Sequence, residues 1–255
     1  MKTDSEPIAI VTALQAELAE LRSGLELDQE SDLLGRYFAR GYLEGRPVVI
    51  SEGGIGKVNA AVTATALVHR FDCRKLVFTG VAGGLDPDLV VGDVVIAEET
   101  IQYDFGVATD AGLELYQPGH LPFFNPTARF GYRPSSRLLA IVRRRMEGFS
   151  LAPLSSQAGG TGRPPRIVFG TVLTADQFVN SEETRRRLWE ELGGAAVEME
   201  GAALAQTAEV LGVDHVVIRS LSDRAGTESI RDFSRFLEEV AANSVRVVRH
   251  LLPVI

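Results

Sequence analysis

Hydrophobic positions along this chain follow two alternating rhythms. Short, nearly continuous apolar runs, "IAIVTA" (8–13), "KLVFTGVAGG" (75–84), "GDVVIAEETIQYDF" (92–105), "RIVFGTVLTADQF" (166–178) and "DHVVIRSLSD" (214–223), have the β-branched content of strands buried on both faces. "YFARGYLEGRPVVIS" (37–51) reads as two strands around a turn at 44–47. Between these runs, apolar residues return every three or four positions, which predicts helices at 14–25, 57–71, 135–146, 181–192 and 229–252. "AAVEMEGAALAQTAEVL" (195–211) reads as a short strand entering a helix. Alternating strands and helices predict an α/β chain, one domain over 1–255 with no repeat and no linker. Residues 106–165 carry seven of the eleven prolines and break the rhythm, so they are read as an irregular insertion ending in the loop-like "SSQAGGTGRPP".

Composition narrows the function classes. A net charge of −8 offers no basic face to nucleic acid. The arginine clusters at 143–145 and 185–187 fall in helical segments and read as solvated faces. No apolar run reaches the ~20 residues of a membrane span, and "MKTDSEP" lacks the apolar core of a secretory signal. The single cysteine, Cys73, fits a reducing, cytoplasmic setting.

Ligands of open α/β sheets collect beyond the carboxyl ends of the strands, and polar residues cluster there. Glu17 sits on the apolar stripe of Leu14, Leu18 and Leu21, either as a buried base or as a stripe-edge carboxylate reaching water. "GGIGK" (53–57) matches neither common phosphate-loop pattern and is either an anion-facing turn or a plain one. "TGVAGGL" (79–85), with Ala82 and Gly83, lets a flat ligand or a packed helix approach the backbone. Phe178 is a stacking ring or a core residue. Ser222 and Asp223 leave the sheet as a turn cap or as a proton donor at a ring nitrogen. Glu198 and Glu200 flank Met199 in an otherwise small, apolar stretch, where an ionised carboxylate needs a polar partner. In an extended segment both carboxylates share one face.

The ordered set "ALQAELAELR", "GGIGKVNAA", "TGVAGGLDPDLVVGDVVIA", "ADQF", "VEMEGAALAQ" and "VVIRSLSD" resembles 5′-methylthioadenosine/S-adenosylhomocysteine nucleosidases of the purine and uridine phosphorylase superfamily. The resemblance covers about residues 8–105 and 166–226. It implies a single three-layer α/β/α domain around a mixed, mostly parallel sheet, usually a homodimer, acting on a small purine nucleoside without metal or cofactor. By the same resemblance, Asp223, oriented by Ser222, protonates N7 of adenine, and Glu17 takes a proton from the attacking water. Arg219 and Glu198 order that water, Glu200 binds the ribose hydroxyls, Met199 lines the sugar and Phe178 stacks on the base. Phosphorylases of the superfamily carry a phosphate-binding arginine two residues before the Gly-Ser turn. Here Phe78 stands there, with nothing cationic expected at the turn and Lys57 the one nearby cation, which favours water as nucleophile.

The chain departs from the family pattern at Val81, where serine is common, and at Leu14, Gln15 and Ala16. The segment 116–132, with His120, Phe123 and Phe124, is longer than in compact relatives. The alternatives weighed are a nucleosidase for another purine nucleoside of the futalosine type, a phosphorylase, and a non-catalytic nucleoside binder.

Overall fold

The computed structural model describes residues 6–155 and 162–255. The chain begins with β1 (Ile8–Thr12), α1 (Gln15–Arg22), β2 (Glu26–Leu33), β3 (Arg36–Leu43), β4 (Arg46–Glu52), α2 (Lys57–Phe71), β5 (Lys75–Gly84) and β6 (Val94–Gln102). A hairpin of β7 (Gly106–Thr109) and β8 (Gly112–Leu115) follows, then α3 (Ser136–Met146) and β9 (Ile167–Thr174). The chain closes with α4 (Glu182–Leu192), β10 (Gly194–Glu198), α5 (Gly201–Leu211), β11 (Asp214–Asp223) and α6 (Ser229–Leu251).

Nine strands form one sheet in the order β10-β9-β6-β11-β5-β1-β4-β3-β2. Pairings β1–β4, β1–β5, β5–β11, β6–β9 and β9–β10 are parallel; β2–β3, β3–β4, β6–β11 and β5–β10 are antiparallel. The sheet is therefore mixed, with five parallel pairings against four antiparallel, less parallel than expected. Period-two alternation divides it between two helical layers. Ala9 and Val11 of β1 pack with Ala64 and Leu67 of α2 and Leu204 and Ala208 of α5. Ile8 and Ile10 pack on the other face with Leu18 and Leu21 of α1, Val142 of α3, and Val248 and Leu251 of α6. Each large apolar side chain buried this way contributes about 1.5–3 kcal/mol.

Two elements went unforeseen. β2, "ELDQESDL", has no buried position, so it carries no apolar alternation. It is an edge strand held by backbone pairing to β3, and its charges suit an unpaired edge. The β7–β8 hairpin, "GVAT" and "GLEL", is short and largely exposed, with too few residues to show an alternation. Within the irregular stretch, α3 buries Leu138, Val142 and Met146 against the core. Most of the loop-like "SSQAGGTGRPP", and most of the polar start "MKTDSEP", lie outside the described residues.

Two irregularities of the sheet prepare a site. On one edge of β5, Lys75–Phe78 pair with β1, and Gly83 and Gly84 pair with β10. Residues 79–82 lie between these pairings and leave a gap. On its other edge β5 pairs with β11, where the register slips between Leu221 and Asp223. That bulge re-aims the end of β11, a role common beside binding sites.

Candidate active site

Glu17 fills the gap in the sheet. Its Oε1 accepts the Val81 N–H (3.0 Å), which no strand takes, and its Oε2 accepts the N–H groups of Ala13 (3.0 Å) and Leu14 (3.1 Å). The side chain is fully buried, so it does not reach for water. Burial pushes its pKa up, while Arg219 and the three N–H donors pull against that shift. The site is compressed here: a Cβ on Gly80 would lie 2.7 Å from both Glu17 Oε1 and Arg219 Nη1.

Arg219, on β11, is buried as deeply. Its guanidinium lies over the Phe78 ring, 3.9 Å from the centroid. One Nη2 reaches Glu198 Oε2 at 2.5 Å and Glu200 Oε2 at 3.7 Å. The expectation that nothing cationic stands at this turn is corrected: Arg219 comes from the neighbouring strand and lies against Gly80. Its charge, however, is answered by three carboxylates.

Glu198 and Glu200 do converge on this one cation, through a turn rather than an extended run. β10 ends at Glu198, and Glu200 is the residue before the first turn of α5. Glu198 is consumed by protein donors. Its Oε2 accepts the N–H groups of Glu200 (3.1 Å) and Gly201 (2.7 Å), and its Oε1 accepts the Thr174 hydroxyl. It therefore caps α5 and neutralises Arg219. Glu200 is freer. Its Oε1 accepts the Gly56 N–H at 2.8 Å. Burial and the neighbouring Glu198 push its pKa up to about 7.

Asp223 also lines the cleft, buried, at the end of the bulged β11. Its Oδ2 accepts the Ser222 hydroxyl (2.9 Å) and its Oδ1 the Ala225 N–H (2.8 Å). Burial raises its pKa against those bonds. Gly83 keeps the approach open, since a Cβ there would lie 3.0 Å from Asp223 Oδ1.

Glu17, Ala82, Gly83, Phe178, Glu198, Met199, Glu200, Ser222 and Asp223 line one cleft of about 610 Å³, part of it open to solvent. Arg219 sits behind the lining, against Glu198. Phe178 is no core residue: it is 46% exposed and meets Phe233 edge-on, with centroids 5.9 Å apart. The sequence reading missed Phe233 and Ile55, which also line the cleft. Phe233 belongs to the first turns of α6, and only its helical spacing was visible. Lys57 is not offered to the cleft; its Nζ pairs with Asp104 at 2.6 Å. Among the described residues, no group of three or more His, Cys, Asp or Glu side chains is arranged to hold a metal ion.

The sequence matches the phosphorylase superfamily over residues 7–253. It is 51% identical over 248 residues to a 5′-methylthioadenosine/S-adenosylhomocysteine nucleosidase of Mycobacterium tuberculosis, covering 97% of each chain. The chain belongs to this nucleosidase family of the phosphorylase superfamily. Solved structures agree with the fold. The nucleosidase of Neisseria meningitidis in complex with methylthio-immucillin-A superposes with a TM-score of 0.83 at 30% identity, covering 98% of this chain and 100% of that one. The futalosine hydrolase of Helicobacter pylori gives 0.82 at 28% identity, covering 98% of each.

Against that family, two of the departures, Val81 and Leu14, have structural answers. Val81 serves Glu17 through its backbone N–H, which any side chain leaves intact, while the side chain packs beside Phe236 and Val240 of α6. Leu14 likewise contributes an N–H to Glu17 and an apolar wall to the cleft. At Phe78, the ring supports Arg219 from below.

Proposed function

We propose that this protein hydrolyses the N-glycosidic bond of 5′-methylthioadenosine and S-adenosylhomocysteine, releasing adenine. The observation that carries this reading is a pair of buried carboxyl groups, Glu17 and Asp223, that line one cleft and are held by different partners. Burial raises the Glu17 pKa, as suits a base that must take up a proton, while the Arg219 cation and three N–H donors support its ionised form against that shift. Asp223 also has three donors, the Ala225 N–H and the Ser229 and Ser222 hydroxyls, but no cation acts on it, and burial favours retention of a proton.

Asp223 gives its proton to N7 of the bound adenine. The C1′–N9 bond then breaks, its electron pair leaves with a neutral base, and the sugar develops oxocarbenium character. Water attacks C1′ and its proton passes to Glu17. Acid–base assistance of this kind typically contributes about 10²–10⁴-fold. Glu200 accepts the ribose hydroxyls, Met199 lines the sugar, and Phe178 faces the base. Glu198 acts one step back, holding Arg219 and the start of α5.

Water is favoured over phosphate by charge. The Arg219 guanidinium is already paired with Glu198 and faces two further carboxyl groups, so it is not free to hold a phosphate dianion. The names of the relatives support the choice of substrate. The same assignment covers a cytoplasmic homodimer serving methionine salvage; Phe123 and Phe124, 77% and 69% exposed on the insertion, support a subunit contact there. Among the described residues, no helix is long and apolar enough to cross a membrane.

Chromatography of products from methylthioadenosine, with and without phosphate, tests the reading. Adenine and free methylthioribose are expected in phosphate-free buffer. Strict phosphate dependence would make the enzyme a phosphorylase, and cleavage confined to futalosine would move the substrate assignment to that nucleoside.

A further inference from the structure

The glycine loop before α2 carries one donor into the cleft, the Gly56 N–H on Glu200 Oε1 (2.8 Å). Gly56 has φ +98°, a conformation that other residues rarely adopt. A single N–H on a loop keeps its aim only if both ends of the loop are fixed. At the entrance, Arg36 of β3 donates to the Gly53 carbonyl and to Asn59 Oδ1 (2.5 Å), and Asn59 Nδ2 donates to the Ile55 carbonyl (2.6 Å).

At the exit, three charged residues from three segments meet. The Lys57 N–H, next in the chain after Gly56, donates to Asp176 Oδ1 (2.9 Å). Lys57 Nζ donates to Asp104 Oδ1 (2.6 Å) and lies 3.8 Å from Asp176 Oδ2. The Asp176 N–H in turn donates to Asp104 Oδ2 (3.0 Å). The Lys57 and Asp104 side chains are only 18% and 19% exposed, so this pairing is not an ordinary surface ion pair. A Cβ at Gly56 would lie 3.2 Å from Asp176 Oδ1, so the carboxylate packs directly under the residue whose N–H matters.

We propose that Lys57, Asp104 and Asp176 form a positioning network that aims the Gly56 N–H at Glu200 and so sets the enzyme's preference for substrates bearing a ribose diol. None of the three touches the reacting atoms. They act through the loop, tying the start of α2 to the ends of β6 and β9. The proposal rests on the functional reading above, in which Glu200 binds the sugar hydroxyls.

The test uses Lys57→Met, Asp104→Asn and the conservative Lys57→Arg. Each is assayed on methylthioadenosine and on its 2′,3′-dideoxy analogue, and Gly56 amide exchange is followed by NMR in the free protein. Lys57→Met and Asp104→Asn are expected to lower kcat/KM on methylthioadenosine by about 10–100-fold, mainly through KM, as for one charge-assisted hydrogen bond. On the dideoxy analogue they should change it by less than about threefold. Gly56 exchange should quicken in both, and Lys57→Arg should recover part of each effect. Equal losses on both substrates, or unchanged Gly56 exchange, would overturn the network. If the wild type leaves methylthioadenosine intact, the functional reading fails instead, and amide exchange alone decides whether the network aims the loop.

Discussion

Gly80 shows how much of this site is decided by a missing methyl group. Its neighbours Glu17 and Arg219 approach so closely that a Cβ would sit 2.7 Å from each. Gly80→Ala is expected to destabilise the protein by about 1–3 kcal/mol, as overpacking does. Activity should fall by more than about 100-fold, because Glu17, the proposed base, and Arg219 must part. Denaturant unfolding and kcat/KM, measured together, check this; a variant with wild-type activity would mean that the compression is not functional. Glu17 was legible in the sequence because it interrupts an apolar stripe at a packing position. Gly80's role was not, since clearance between α1 and β11 is a tertiary quantity. Phe233 was hidden for a similar reason: an aromatic on an amphipathic helix carries no sign of which cleft it will face.

At the scale of elements, the site depends on two interruptions of regular pairing. The gap in β5 at 79–82 frees the Val81 N–H for Glu17, and the bulge in β11 delivers Asp223. Neither was visible along the chain, because both depend on which strands become neighbours. The strands buried on both faces were readable as apolar runs; β2, covered on neither, was not. The same contrast predicts an order of local stability. In hydrogen exchange, amides of β1, β5 and β11 should be the slowest and those of β2 among the fastest. Comparable protection in β2 would contradict its description as a peripheral edge.

For the whole molecule, the cost of the site should appear as a pH dependence of stability. Glu200 is held up to about 7 by burial and by Glu198, against an ordinary 4.5. Folding thus favours its protonated form. That contribution is complete below the ordinary value and is lost as pH rises toward 7. Glu200→Gln, neutral throughout, should match the wild type near pH 4 and exceed it near pH 8 by a few degrees in Tm. His215, pushed down to about 4 by burial, gives the opposite slope below its usual 6.5, but equally in both proteins, so the difference isolates Glu200. A Tm difference independent of pH would contradict the raised pKa.

The central claim is that Glu17 and Asp223 divide the proton work across one cleft. Adenine release from methylthioadenosine in a single turnover, compared for wild type, Glu17→Gln and Asp223→Asn, tests it most directly, with nucleoside binding measured alongside. Each variant is expected to slow release by at least about 100-fold while still binding the nucleoside. Release at the wild-type rate by either variant would contradict the assignment.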